Sequence, residues 1–209
     1  MRHHAELNYH ISAMGGGKSL SLMVAAHQLD SKVPVLITKP ASDLKAGDHV
    51  ETRLGETRRE VDFLIEKDSD IETLVAARMQ VIRIGLGERA AGRLPFVFVD
   101  EGQFLLPDHV EQMRALADSD AANFEVYGLL TDFRAQYFPG SDALIRNADH
   151  ISMANREIEH LCEDDECTRI ALRNTRLIEG TVVRDGPQIA IDGIDATYKA
   201  FCSKHYNAG

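Results

Sequence analysis

No apolar run in this chain approaches the ~20 residues that would cross a bilayer. The opening Met1-Arg2-His3-His4-Ala5-Glu6 also lacks the apolar core of a secretory signal. A cytoplasmic location and no membrane partner are therefore expected. Basic residues are in deficit, 23 Lys and Arg against 33 Asp and Glu, for a formal net charge of −10. They are scattered, with Arg58-Arg59 the one notable pair, so the basic footprint that duplex DNA demands is missing. Stable nucleic-acid binding is not expected, although a nucleotide substrate needs only local positive potential. Cysteine is rare and odd in number: Cys162, Cys167 and Cys202, all in the last quarter. That count argues against a disulfide framework. Internal repeats and low-complexity segments are absent as well.

What is present is the composition of a soluble globular protein, 44% hydrophobic and 27% charged over 209 residues. This is room for one ordinary domain, able to bury a core without disulfides, plus a small appendage. The first 150 residues alternate strand-like and helix-like segments, the pattern of an α/β fold with a parallel sheet. Strands are expected at Leu7–Ser12, Val33–Thr38, Leu94–Val99 and Phe124–Leu130. Helices are expected from Lys18 to Leu29, Asp70 to about Gly92, and Asp108 to Ala117. The polar stretch from Ala41 to about Glu60 reads as a mobile loop. Beyond Asp149 the character changes to hairpin punctuation, with Gly180, Asp185-Gly186-Pro187 and Asp192-Gly193 separating short pieces at Thr181–Val183 and Gln188–Ile191. The expected division is residues 1–150 as a nucleotide-binding domain and 151–209 as a smaller unit.

Ser12-Ala13-Met14-Gly15-Gly16-Gly17-Lys18-Ser19 follows a strand and opens a helix. It matches the phosphate-loop pattern G-x-x-x-x-G-K-[ST] at every fixed position but the first, where Ser12 stands for Gly. Such glycines let main-chain N–H groups wrap a phosphate at a helix N-terminus. Lys18 can reach the β- and γ-phosphates, and the Ser19 hydroxyl can ligate Mg²⁺. An ordinary glycine-rich turn would carry the same letters, but the order strand, loop, helix is the one ATP binding needs.

Pro95-Phe96-Val97-Phe98-Val99-Asp100-Glu101 is an apolar strand ending in two carboxylates. Asp100 is placed to hold Mg²⁺. On an extended chain Glu101 would point the opposite way and serve another task. A helix cap or a solvated strand end is the bland alternative for either residue.

Cys162-x₄-Cys167 and Cys202-x₂-His205 supply two ligand pairs. Three thiolates and one imidazole complete a tetrahedral Zn²⁺ site with no open position, which makes it structural rather than catalytic. Residues 168–201 would then form a loop closed at its base, like a lasso. His10, His27 and His49 read as packing or surface residues.

Four ordered segments together are specific. Val99-Asp100-Glu101-Gly102-Gln103-Phe104 resembles the V-D-E-x-Q-F motif of the type II, zinc-bearing thymidine kinases. Tyr127-Gly128-Leu129-Leu130-Thr131-Asp132-Phe133-Arg134, followed by Phe138-Pro139-Gly140-Ser141, is similar to that family's Y-G-L-R-T-D-F … F-x-G-S segment. The Ser12-Ala13-Met14 start of the phosphate loop resembles bacterial members, and Tyr198 to Tyr206 resembles the closing Y-x-x-x-C-x-x-[CH]-Y. The resemblance implies a RecA-like P-loop sheet flanked by helices, with a small C-terminal zinc-binding β subdomain carrying a lid loop. It implies transfer of the γ-phosphoryl group of ATP to the 5′-hydroxyl of thymidine, with Glu101 as general base and Gln103 grouped with the nucleotide-handling residues Ser12 to Ser19 and Asp100. Met14, Phe104, Leu129, Phe133, Ile189, Ile191 and Tyr198 would line the base pocket, and a homotetramer is implied. This chain departs from the family pattern at Leu130 and Lys45, where relatives carry Arg, in the longer C-x₄-C spacing, and around Asp192–Ala196. A RecA-like ATPase gripping nucleic acid through the zinc knuckle, or a non-catalytic nucleotide-binding regulator, are the competing classes.

Overall fold

The structure is a computed structural model that describes residues 4–43, 47–52, 57–86, 92–154, 160–188 and 196–208. Its centre is a six-stranded, all-parallel sheet in the order β5-β2-β6-β7-β1-β8. These strands are β1 (Leu7–Ile11), β2 (Val35–Pro40), β5 (Phe63–Ile65), β6 (Phe96–Val99), β7 (Asn123–Gly128) and β8 (His150–Met153). Helices α1 (Lys18–Asp30), α2 (Ile71–Leu86), α3 (Pro107–Asp118) and α4 (Pro139–Asn147) connect them.

Both faces of the sheet are covered, which is why its strands read as near-continuous apolar runs. Alternate side chains divide the core in two. Leu36, Val97, Val99, Phe124 and Val126 pack with Ile71, Val75, Val110, Met113 and Leu144 from α2, α3 and α4. Val35, Ile37, Phe98 and Tyr127 pack with Leu22, Met23 and Ala26 of α1. Full burial of each such side chain contributes about 1.5–3 kcal/mol.

The segment expected to be a loop holds a short antiparallel hairpin, β3 (His49–Glu51) with β4 (Arg58–Glu60). Arg59 ties it to α1 by an ion pair with Asp30 at 2.9 Å. The buried Lys39 at the end of β2 holds Asp43 at 2.8 Å and reaches the His49 carbonyl at 3.3 Å. These contacts order a stretch that polarity alone left without a partner.

The second strand lies two residues later than its β-branched run suggested, over Val35–Pro40, because Val35↔Phe96 to Thr38↔Val99 set its register against β6. The sheet also continues past residue 149, since β8 pairs in parallel with β1. Helix α4 was not expected; Pro139 at its first turn presets the helical φ and surrenders no needed donor.

A separate three-stranded antiparallel sheet, β10-β9-β11, follows: β9 (Arg173–Ile178), β10 (Thr181–Val183) and β11 (Ala196–Phe201), with the short helix α5 (Ser203–Ala208) after it. It lies on the phosphate loop through three small buried residues, Ala13, Ala171 and Ala200. Among the described residues, no helix is long and apolar enough to cross a membrane.

Candidate active site

Strand β1 delivers the chain to the phosphate loop at the carboxyl end of the sheet, and α1 begins at Lys18. Gly15 and Gly17 stand at φ 77° and 76°, in the left-handed region where a Cβ would be strained. Ser12 is not among the positive-φ residues. The first loop position thus makes no backbone demand that only glycine meets, and the departure there is harmless to the fold. The Ser12 hydroxyl bonds the Ala13 carbonyl at 2.9 Å. Lys18 is buried, and its charge reaches Asp100.

The phosphate loop and the Asp100-Glu101 segment follow non-adjacent strands, β1 and β6, separated by β7. They meet where the Ser19 hydroxyl donates to Asp100 Oδ2 at 2.8 Å. Asp100 is buried, and the Glu101 N–H donates to its other oxygen at 3.0 Å. Burial, with the neighbouring Glu101 charge second, pushes the Asp100 carboxyl up to about 7; Ser19, Lys18 and the Glu101 amide pull the other way. An oxygen pair of hydroxyl and buried carboxylate is a donor set suited to a hard divalent cation.

Glu101 does not continue the extended strand. Its backbone is left-handed, φ 52° and ψ 40°, and it caps the 3₁₀ turn Gly102–Phe104. The alternation expected for an extended chain therefore does not set its direction; the turn does. Its Oε2 accepts a hydrogen bond from Gln103 Nε2. Gln103 is buried, and its Oε1 accepts the Leu129 N–H at 2.9 Å. Both ends of this amide are thus held within the protein. The Leu129 carbonyl accepts from Tyr9 at 2.7 Å and from Ser141 at 2.6 Å. Burial raises the Tyr9 hydroxyl well above its ordinary range, so it stays a donor.

Among the expected pocket residues, Phe104 meets Phe138 edge-on at 5.8 Å between ring centres. Leu129 and Phe133 are buried, and Met14 is half-buried. Met14 is held by its main chain: its N–H donates to Asn174 Oδ1 at 2.8 Å, while Asn174 Nδ2 donates to the Thr131 carbonyl at 2.9 Å. Tyr198 lies across β9 from Arg176 and accepts its Nε–H at 2.7 Å. Leu130, where an arginine was expected, packs against the main core. Lys45, Ile189 and Ile191 lie outside the described residues.

The thymidine kinase family model matches residues 5–206. The chain belongs to the thymidine kinase family. It is 33% identical over 206 residues to the thymidine kinase of Enterobacteria phage T4, covering 97% of this chain and 96% of that protein. It is 36% identical over 205 residues to that of Idiomarina loihiensis, covering 97% and 96%. The thymidine kinase of Rhizobium meliloti is 32% identical over 206 residues, with the same shares covered.

In this family member the four expected metal ligands converge. The ligand atoms of Cys162, Cys167, Cys202 and His205 all lie within 4.8 Å of one another. Cys167 Sγ stands 3.9 Å from Cys202 Sγ, and Cys162 Sγ 3.4 Å from His205 Nδ1. A tetrahedral site with Zn–S bonds of ~2.3 Å has edges of ~3.8 Å, so the donor set and its spacing fit zinc. The main-chain amide of His205 lowers the Cys202 thiol, favouring the thiolate a metal needs. The Cys202 N–H donates to Cys162 Sγ at 3.2 Å, a sulfur acceptor typical of a thiolate ligand's surroundings.

Three residues of consequence went unassigned from sequence. Asn174 and Arg176, two apart on β9, share one face and reach the phosphate loop and Phe133 respectively. Tyr206, one residue after His205, donates its hydroxyl to the Phe133 carbonyl at 2.9 Å. The signal for the first two was an alternation within a stretch that sequence alone read only as a closed loop.

Proposed function

We propose that this chain phosphorylates thymidine, transferring the γ-phosphoryl group of ATP to the 5′-hydroxyl to give thymidine monophosphate. One observation carries the reading: the phosphate loop and the Asp100-Glu101 strand end meet at Ser19 and Asp100, so a triphosphate and a hydroxyl acceptor can share one place. The full-length family match supports the substrate.

In this mechanism Lys18 and the loop amides bind the β- and γ-phosphates. Ser19 and Asp100 would hold Mg²⁺, which when bound neutralises charge on the phosphoryl oxygens. Glu101, oriented by Gln103, accepts the proton of the 5′-hydroxyl. Because phosphoryl transfer passes through a loose transition state, positioning and electrostatics outweigh the pull on that proton. Met14, Phe104, Leu129, Phe133 and Tyr198 form the pocket for the base, with Ile189 and Ile191 added to it. Zn²⁺ on Cys162, Cys167, Cys202 and His205 is structural.

The same reading divides the chain into a kinase domain to about residue 150 and a zinc-bearing lid subdomain after it. It places the protein in the cytoplasm as a homotetramer without stable nucleic-acid binding. The test is ATP-dependent phosphorylation across a panel of nucleosides, with bound metal counted. Thymidine should be consumed in step with ATP. ATP turnover stimulated by nucleic acid without nucleoside consumption would overturn the reading.

A further inference from the structure

The side chain of Arg176 is 4% exposed, yet among the described residues its contacts include no carboxylate. A buried guanidinium ordinarily comes with an acidic partner. Here its Cζ lies over the Phe133 ring, 3.7 Å from the ring centre, and 5.3 Å from the centre of the Tyr198 ring. Its Nε donates to the Tyr198 hydroxyl at 2.7 Å, and one terminal nitrogen donates to the Pro187 carbonyl at 3.0 Å. The nearby carboxylate of Asp132 is engaged elsewhere, by Arg134 at 2.9 Å, by the Arg134 and Gln136 amides, and by Gln188. Gly186 lies alongside at φ +107°, where a Cβ would meet the guanidinium at an ordinary van der Waals distance of 3.4 Å.

We propose that Arg176 is a positioning residue that fixes Phe133 and Tyr198 relative to each other and so sets affinity for the nucleoside. The proposal rests on the reading of those two rings as walls of the base pocket. Phe133 belongs to the segment after β7, and Tyr198 to β11 of the second sheet. A planar cation with donors in its plane can stack on one ring while hydrogen-bonding the other. A lysine ammonium, a point charge on a flexible stem, cannot do both. Among the described residues, Arg176 makes no hydrogen bond to the phosphate loop, in contrast to Asn174 two residues before it. The effect should therefore fall on one substrate.

The experiment uses full-length, zinc-loaded Arg176→Met, Arg176→Lys, Tyr198→Phe and Phe133→Ala, with KM measured separately for thymidine and ATP. Arg176→Met should raise the thymidine KM about tenfold or more, the scale of one lost charge-assisted hydrogen bond, with the ATP KM nearly unchanged. Arg176→Lys should not rescue it, and Tyr198→Phe should shift it the same way by less. An unchanged thymidine KM in Arg176→Met, or a parallel rise in both KM values, overturns the proposal. Phe133→Ala separates the two ideas. If it raises the thymidine KM while Arg176→Met does not, only the role of Arg176 falls. If Phe133→Ala leaves it unchanged, the pocket reading fails and takes the proposal with it. Should Arg176→Met fail to fold, judged by melting and zinc content, Tyr198→Phe with an unaltered thymidine KM overturns it instead.

Discussion

Glu101 is held by Gln103, whose amide nitrogen donates to the carboxylate while its amide oxygen accepts the Leu129 N–H at 2.9 Å. A carboxylate fixed at one oxygen leaves the other free to face an acceptor hydroxyl. It also links the strand-end turn to the Leu129 segment on the neighbouring strand's extension. The position of the Glu101 carboxylate, the proposed base, is therefore set by a side chain that need not touch substrate.

Replacing the base and replacing its holder should consequently give different results. Glu101→Gln is expected to lower kcat by about 10²-fold or more, with ATP binding kept, because it removes the proposed proton acceptor and nothing in the phosphate loop. Gln103→Leu leaves the buried Leu129 N–H unpaired, at a cost of about 1–3 kcal/mol. It should lower the melting temperature by several degrees and reduce kcat less than Glu101→Gln. Steady-state kinetics with thermal melts of both variants check this. Near-normal turnover in Glu101→Gln would remove Glu101 from its role.

The left-handed backbone at Glu101, φ 52°, is a second consequence of that turn. A left-handed residue with a Cβ costs roughly 1–2 kcal/mol over glycine's freedom to adopt it. Glu101→Gly and Glu101→Ala should be equally inactive, yet the glycine variant should melt higher by about 2–4 °C. Equal melting temperatures would mean that the turn stores no such strain in solution.

Much of this was legible in the sequence, and what was not has a physical reason. The phosphate loop, the core strand before Asp100 and the Cys162, Cys167, Cys202 and His205 group are local patterns whose spacing is itself the signal. Position Ser12 could be judged only from its backbone angle. The turn at Glu101 escaped because strand alternation predicts direction only while the chain stays extended. Strand β8 escaped because His150–Met153 is a short edge strand with exposed Ile151 and Met153, so it lacks the apolar run of a central strand. Asn174 and Arg176 are polar residues buried by contacts distant along the chain, such as Asn174 with Thr131 and Arg176 with Phe133. No local window holds that information.

Asp100 makes stability depend on pH. Its carboxyl is pushed up from an ordinary 3.8 to about 7, chiefly by burial. The folded state therefore holds the proton more tightly than the unfolded chain. This contribution to stability is full below about 4 and is lost as pH rises through about 7. Without added magnesium, Asp100→Asn should melt above the wild type at about pH 8 and lose that advantage near pH 4. Its kcat should fall by about 100-fold or more, as expected for losing a ligand that contributes several kcal/mol through the cation. Magnesium with ATP should raise the wild-type melting temperature more at pH 8 than at pH 6. A wild type and Asp100→Asn pair whose melting curves run parallel across that range would contradict the assignment.

The Cys162, Cys167, Cys202 and His205 cluster is joined to Phe133, a wall of the proposed pocket, by a short covalent and hydrogen-bonded path. His205 is followed by Tyr206, whose buried hydroxyl donates to the Phe133 carbonyl at 2.9 Å, and the Arg184 guanidinium stacks over the Tyr206 ring at 3.8 Å. Removing a metal held there should free α5, and with it the Tyr206 side chain that holds the Phe133 main chain. Chelation or Cys162→Ala should lower the melting temperature by at least about 5 °C, since metal binding is part of the folding free energy. The thymidine KM should rise more than the ATP KM. Tyr206→Phe isolates the path: it keeps the ring and all four ligands, so zinc content should stay at one per chain while the thymidine KM still rises. If metal-free protein binds thymidine as tightly as the zinc form, the cluster is a stabiliser of the fold with no mechanical hold on the pocket. If only Tyr206→Phe is silent, the hold runs through β9 and Arg176 instead.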